Sequence, residues 1–112
     1  MTKYCISFPS EAMTASADEL PAVGDAARAV IEEAKAAGIY VFAGGIHEGI
    51  DAVLVNADGG MSSAICPGSR LKGGYTIVEL PRREAAIEWA HKIAVACRCS
   101  QELREFMYDP AR

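Results

Sequence analysis

The chain of 112 residues is poor in histidine, with only His47 and His91, and in aromatic side chains, which make up 7% of it. Few groups are therefore available for proton transfer near neutral pH. No run approaches the roughly 20 apolar residues that span a bilayer, and the opening stretch MTKYCISFPS has no basic segment leading into an apolar one. A membrane partner is not expected, and a cytoplasmic location is. Eleven Lys and Arg stand against 15 Asp and Glu, a formal charge of -4, and the basic residues are scattered rather than striped. The electrostatic footprint of a nucleic-acid binder is missing. Cys5, Cys66, Cys97 and Cys99 fit neither the CxxC redox spacing nor a paired zinc knuckle, so reduced thiols are expected. Cys97 and Cys99 stand too close in sequence for an unstrained disulfide. SRLKGGY, around Gly73 and Gly74, lacks both the Walker spacing and the strand-loop-helix context of a phosphate loop. His47, Glu48 and Asp51 match no metal-ligand spacing, and no cofactor is implied.

What is present is an apolar half, 51% of the residues, enough for one domain over 1–112 with a modest core. Folds of this size commonly recruit a second copy to cover a sheet face, so a homodimer is expected. KYCISF alternates Tyr4, Ile6 and Phe8 with Lys3, Cys5 and Ser7, the period of a strand with one covered face. Ser16 and Glu19 have capping-box spacing, and Val23, Ala27, Val30, Ala34 and Ala37 then form one helical stripe that Gly38 ends. IYVFAGGI, rich in β-branched and aromatic residues, reads as a second strand. DAVLVN and MSSAI read as a third strand and a short return joined by the ADGG turn. In LKGGYTIVEL, Tyr75 and Ile77 alternate with Thr76, Val78 and Leu80 as an interior strand. Pro81 is suited to opening a second helix with Ile87, Ala90, Ala94 and Cys97 on its stripe. Glu88 and Lys92 form a four-residue charge pair on that helix. QELREFM closes the chain as a strand, with Leu103 and Glu105 on one side and Arg104 and Phe106 on the other.

This order predicts an α+β fold: a ferredoxin-like split βαβ with a mainly antiparallel sheet and its helices on one face. A second copy covering the other face would make a dimeric α+β barrel.

LKGGYTIVELPRREAAIEWAHKI is similar to a stretch of the YCII-related, DGPF-type family, in which GGYYLIEV precedes EALEWA. KYCISF resembles that family's first strand, EEAKAAGIYVFAGG its helix-to-strand passage, and ELREF its terminal EVRPF. The resemblance spans nearly the whole chain and implies a ferredoxin-like subunit, a homodimer and a cleft for a ligand. The Asp-Gly-Pro-Phe motif would fall near Ser62, Ser63, Ala64 and Ile65, so Ser62 stands where the family has its aspartate. The helical His and Asp suggested as an acid/base pair in some relatives have no counterpart in AARAVIEEAKAAG.

Among candidate site residues, His47 is the substitute base, set among glycines that let a ligand approach. A solvated strand-end histidine, paired with Glu48 or Asp51, is the plainer reading. His91 is read as a boundary residue of the second helix. Ser62 can line the cleft as a hydroxyl donor. Asp58 is a displaced carboxylate or simply turn chemistry. Tyr75 and Arg104 are cleft residues if their strand faces point inward, with Arg104 as an anion clamp, and otherwise structural hydrogen-bonding groups. Arg82 and Arg83 oppose the helix dipole and are solvated or serve an acidic partner. The function expected is binding of a small polar or anionic metabolite beside the sheet, with cofactor-independent acid/base chemistry at His47. The alternative is a non-catalytic ligand-binding or protein-interaction module.

Overall fold

A computed structural model describes residues 1–112. Strand β1 (Thr2–Phe8) leads through a short 3-10 turn (Ser10–Ala12) to helix α1 (Leu20–Ala36). Strands β2 (Tyr40–Gly45), β3 (Leu54–Val55), β4 (Met61–Ser62) and β5 (Gly74–Leu80) follow, then helix α2 (Arg83–Cys97) and strand β6 (Glu102–Glu105). Four strands make an antiparallel sheet in the order β2-β5-β1-β6, while β3 and β4 pair only with each other. Because β1 and β2 both run against β5, they are mutually parallel with β5 between them. By the same logic β5 and β6 flank β1. This is an α+β protein whose strand order is consistent with two interlocked ferredoxin-like βαβ units.

The alternation of β1 and β5 decides which face is dry. Tyr4, Ile6, Val78 and Leu80 point to one side, where they pack with Val30 of α1 and with Ala86, Ile93 and Cys97 of α2. Both helices therefore cover the same sheet face. Ile6, at 1% exposure, is with Val78 one of the two largest fully buried side chains of this cluster.

Local chemistry explains the helix ends. The Glu19 carboxylate accepts from the Ser16 backbone NH at 3.2 Å and from Ser16 Oγ at 2.8 Å, one reciprocal half of a capping box. Gly38, at φ 74°, donates to the Lys35 carbonyl and turns the chain out of α1. Arg98 ends α2 in the left-handed region without a glycine, at φ 56°. Its guanidinium reaches Glu19 at 2.7 Å, tying the end of α2 to the start of α1.

Several expectations need correction. The buried stripe of α2 is Ala86, Ile93 and Cys97 with Trp89 and Ala90 beside it, and Ile87 is 51% exposed. The helix starts at Arg83 with Arg82 as its cap, so Pro81 precedes the cap rather than opening the helix. Lys92 pairs across to Glu33 of α1 at 2.9 Å instead of along its own helix to Glu88. Ala37, placed on the α1 stripe, is exposed beyond the helix end. DAVLVN pairs only at Leu54 and Val55, because its partner strand is two residues long and no sheet strand lies beside it. No helix is long and apolar enough to cross a membrane.

Candidate functional site

The sheet face opposite the helices is uncovered by any segment of the chain's own helices, and a broad cleft of about 1220 Å³ lies along it. Its floor follows from strand alternation: Cys5 and Ser7 of β1 and Tyr75 and Ile77 of β5 occupy the positions between the core residues. On β6, Arg104 lies opposite Cys5 in register, so its guanidinium joins the same floor. A bulge alters β2. The register slips between Tyr40 and Phe42, leaving Val41 as the extra residue. Phe42 then pairs with Ile77 and lines the cleft, while Val41 lines a second groove that also touches Ile77.

One wall is built by the chain as it leaves β2 and as it returns to β5. Ile46 on the way out, and Arg70, Leu71 and Lys72 on the way back, line the cleft. Glu48 clasps this junction. Its carboxylate accepts from Ser10 Oγ at 2.9 Å and from the Gly73 backbone NH at 3.3 Å, and the Ile46 NH donates to the Gly73 carbonyl at 2.9 Å.

The charges in the cleft are unevenly matched. Lys72 pairs with Glu11 at 2.9 Å, Arg104 with Glu102 at 2.8 Å, and Glu105 with Arg83 at 3.9 Å. Arg70 donates to the Ser69 carbonyl at 2.8 Å and forms an ion pair with no carboxylate. The lining thus keeps one unpaired cation. Hydrogen bonding from Lys72 holds the Glu11 carboxyl below its usual range, and hydrogen bonding to Glu102 holds the Arg104 guanidinium more firmly protonated. Burial pushes the Cys5 thiol up, against the opposing pull of the Arg104 charge and of the Ser7 side chain. Cys5 is therefore a protonated floor group rather than a ready nucleophile.

The residues singled out from sequence divide into two groups. Tyr75 and Arg104 meet in the cleft. The Tyr75 hydroxyl donates to the Lys72 carbonyl at 3.0 Å and accepts from the Lys72 NH at 3.1 Å, so it braces the wall. His47, Ser62 and Asp58 lie outside the cleft lining. His47 is exposed one residue beyond Ile46, and its imidazole hydrogen-bonds to no other side chain, Glu48 being engaged elsewhere. Ser62 is exposed and accepts from the Ala64 NH at 3.0 Å. Asp58 accepts from the Gly60 NH at 2.8 Å, which is turn chemistry. His91 is exposed on α2. Within one chain, no three His, Cys, Asp or Glu side chains converge as a metal site.

Sequence reasoning missed Arg70, Lys72 and Phe42, and set Glu48 beside His47 rather than on Ser10 and Gly73. The available signal was the basic pair in SRLK, next to the strand that carries the candidate cleft residue Tyr75.

The molecule is thus defined as an α+β protein with an open, apolar-floored and arginine-bearing sheet face. No protein-family model matches the chain, and no curated protein matches it.

Proposed function

We propose that the chain is a YCII-related homodimer, a dimeric α+β barrel whose sheet-face cleft binds a small anionic metabolite. The observation that carries this reading is that one cleft is lined by two guanidinium groups, Arg104 on its floor and Arg70, free of any carboxylate, on its wall, and by the apolar side chains of Phe42 and Ile77. Planar guanidinium groups match carboxylate and phosphate oxygens, while the apolar floor suits the body of an organic acid. The Arg104–Glu102 pair is exposed to solvent, which screens it, so an incoming anion can exchange for the carboxylate.

Binding without turnover is the better-supported form, since the exposed His47 has no hydrogen-bonding side chain to orient it. Acid/base turnover at His47 is the second reading, favoured by its place directly after Ile46 in the cleft wall. A thermal-shift screen of small carboxylates and phosphates at low ionic strength tests both. The expected result is stabilisation by organic anions, lost at least about tenfold in affinity in Arg104→Gln and Arg70→Gln. Stabilisation undiminished in both variants refutes the anion site. Stabilisation by every hit retained in His47→Ala removes His47 from it.

A further inference from the structure

The chain between β2 and β5, residues 46–72, leaves the body as an arm without one buried residue. It carries Ile50, Val53, Val55, Met61, Ile65 and Leu71 exposed, Val55 at 65% and Met61 at 73%. Its two strands pair with each other and with no strand of the main sheet. An isolated two-stranded hairpin is at best marginally stable in water, so this one needs a surface to pack on. Its own cleft is not that surface. Only the arm's roots, at Ile46 and Ser69–Lys72, line the cleft, and the hairpin from Leu54 to Ser62 does not.

The area points the same way. The chain exposes 7714 Å², whereas a compact monomer of 11.9 kDa exposes roughly 6,000 Å². Its radius of gyration is 15.9 Å, against roughly 13 Å for a compact chain of this length. The excess of roughly 1,700 Å² per chain is the scale that a permanent dimer buries. At 1220 Å³, the cleft also exceeds the roughly 300–1,000 Å³ of a finished small-molecule site.

From these facts we infer that the arm of each protomer crosses to a second copy of this chain and closes that copy's sheet-face cleft, so that the ligand site is completed by both subunits. This rests on the homodimer reading above. One polypeptide carries both an apolar hairpin lacking a bed and an apolar sheet face lacking a cover, and a single twofold operation supplies each with the other. Reach is sufficient. Extended chain from Ile46 to the turn at Asp58 spans up to roughly 40 Å, and a four-stranded sheet is roughly 15 Å wide. Glu48, clasping Ser10 and Gly73, sets the direction in which the arm departs.

The test uses the full chain and the double variant Val55→Lys/Met61→Glu. These two residues face each other across the hairpin, so opposite charges preserve its pairing while removing its apolar face. Analytical ultracentrifugation reads the oligomeric state, and amide hydrogen exchange reads the arm. The expected result is a wild-type dimer with arm amides protected, and a variant whose dimer dissociation constant rises at least about 100-fold with that protection lost. A wild-type monomer at micromolar concentration overturns the homodimer reading and the arm exchange together. A dimer that the double variant leaves intact, with arm amides exchanging freely in the wild type, overturns the arm exchange alone.

Discussion

Gly73 stands where the arm rejoins β5, and replacing it with alanine measures how tightly that junction is pressed against β1. Its φ is +86°, and a Cβ there would run into the Phe8 carbonyl oxygen, with the Ser10 nitrogen at 2.8 Å and the Pro9 carbonyl carbon at 2.9 Å. All three are backbone atoms, so no rotamer change relieves the contact. The left-handed backbone costs an alanine about 1–2 kcal/mol, and forcing the two strands apart adds about 1–3 kcal/mol. Gly38→Ala is the internal control, since its φ is +74° but a Cβ would meet nothing within 4 Å. The loss of unfolded-state entropy is the same for both substitutions and cancels in the comparison. Thermal unfolding at matched protein concentration should show Gly38→Ala lowering Tm by about 4–8 °C and Gly73→Ala by about 10–20 °C. The difference isolates the close approach. Equal losses in the two variants would refute it, and would reopen the reading of the Gly73–Gly74 pair as a ligand loop.

Ile6→Ala, at a fully buried position of the core cluster, should cost about 2–5 kcal/mol in urea unfolding, and a loss below about 1 kcal/mol would contradict the packing described. The four free thiols should react with a disulfide reagent at neutral pH in order of access, exposed Cys66 first and buried Cys97 last; Cys97 reacting first would contradict the fold. Burial raises the folded-state pKa of Cys97, and the neighbouring Cys99 raises it further, so between the unfolded and folded values the native chain holds the proton that the unfolded chain has lost. Stability is then unaffected well below the unfolded thiol's pKa and falls as pH rises through it toward the raised folded pKa. Cys97→Ala should flatten this alkaline decline in Tm, and an unchanged slope would argue against the thiol as its source.

Much of the fold was legible because its signals are local. Alternation in KYCISF set Tyr4 and Ile6 apart from Cys5 and Ser7, and in YTIVEL set Val78 and Leu80 apart from Tyr75 and Ile77; the register of β1 with β5 then puts Tyr4, Ile6, Val78 and Leu80 together under the helices. Alternation left open which way Tyr75 and Arg104 point, and strand pairing decided that both face the cleft. The stripe of α2 was read one residue off at Ile87, because an alanine-rich helix has several stripes of similar hydrophobicity and only its packing partners choose among them. The hairpin of DAVLVN and MSSAI around ADGG is present, but its strands are two residues long, because composition gives Val53 and Val55 the look of a longer strand and says nothing of whether a neighbouring strand is there to extend the pairing.

The sequence by itself determined the element types, their order and the two faces of the main strands, since backbone periods of 2.0 and 3.6 turn residue spacing directly into direction. Tertiary structure alone decided which groups converge. Strand order β2-β5-β1-β6 brings Arg104 beside Cys5 and Tyr75 across nearly the whole length of the chain, and the bulge at Val41 turns Phe42 into the cleft. Glu48 likewise acquired its partners, Ser10 and Gly73, only when the ends of β1, β2 and β5 met. Convergence of this kind depends on register between distant segments, which hydrogen bonding and burial select jointly and which no local spacing encodes.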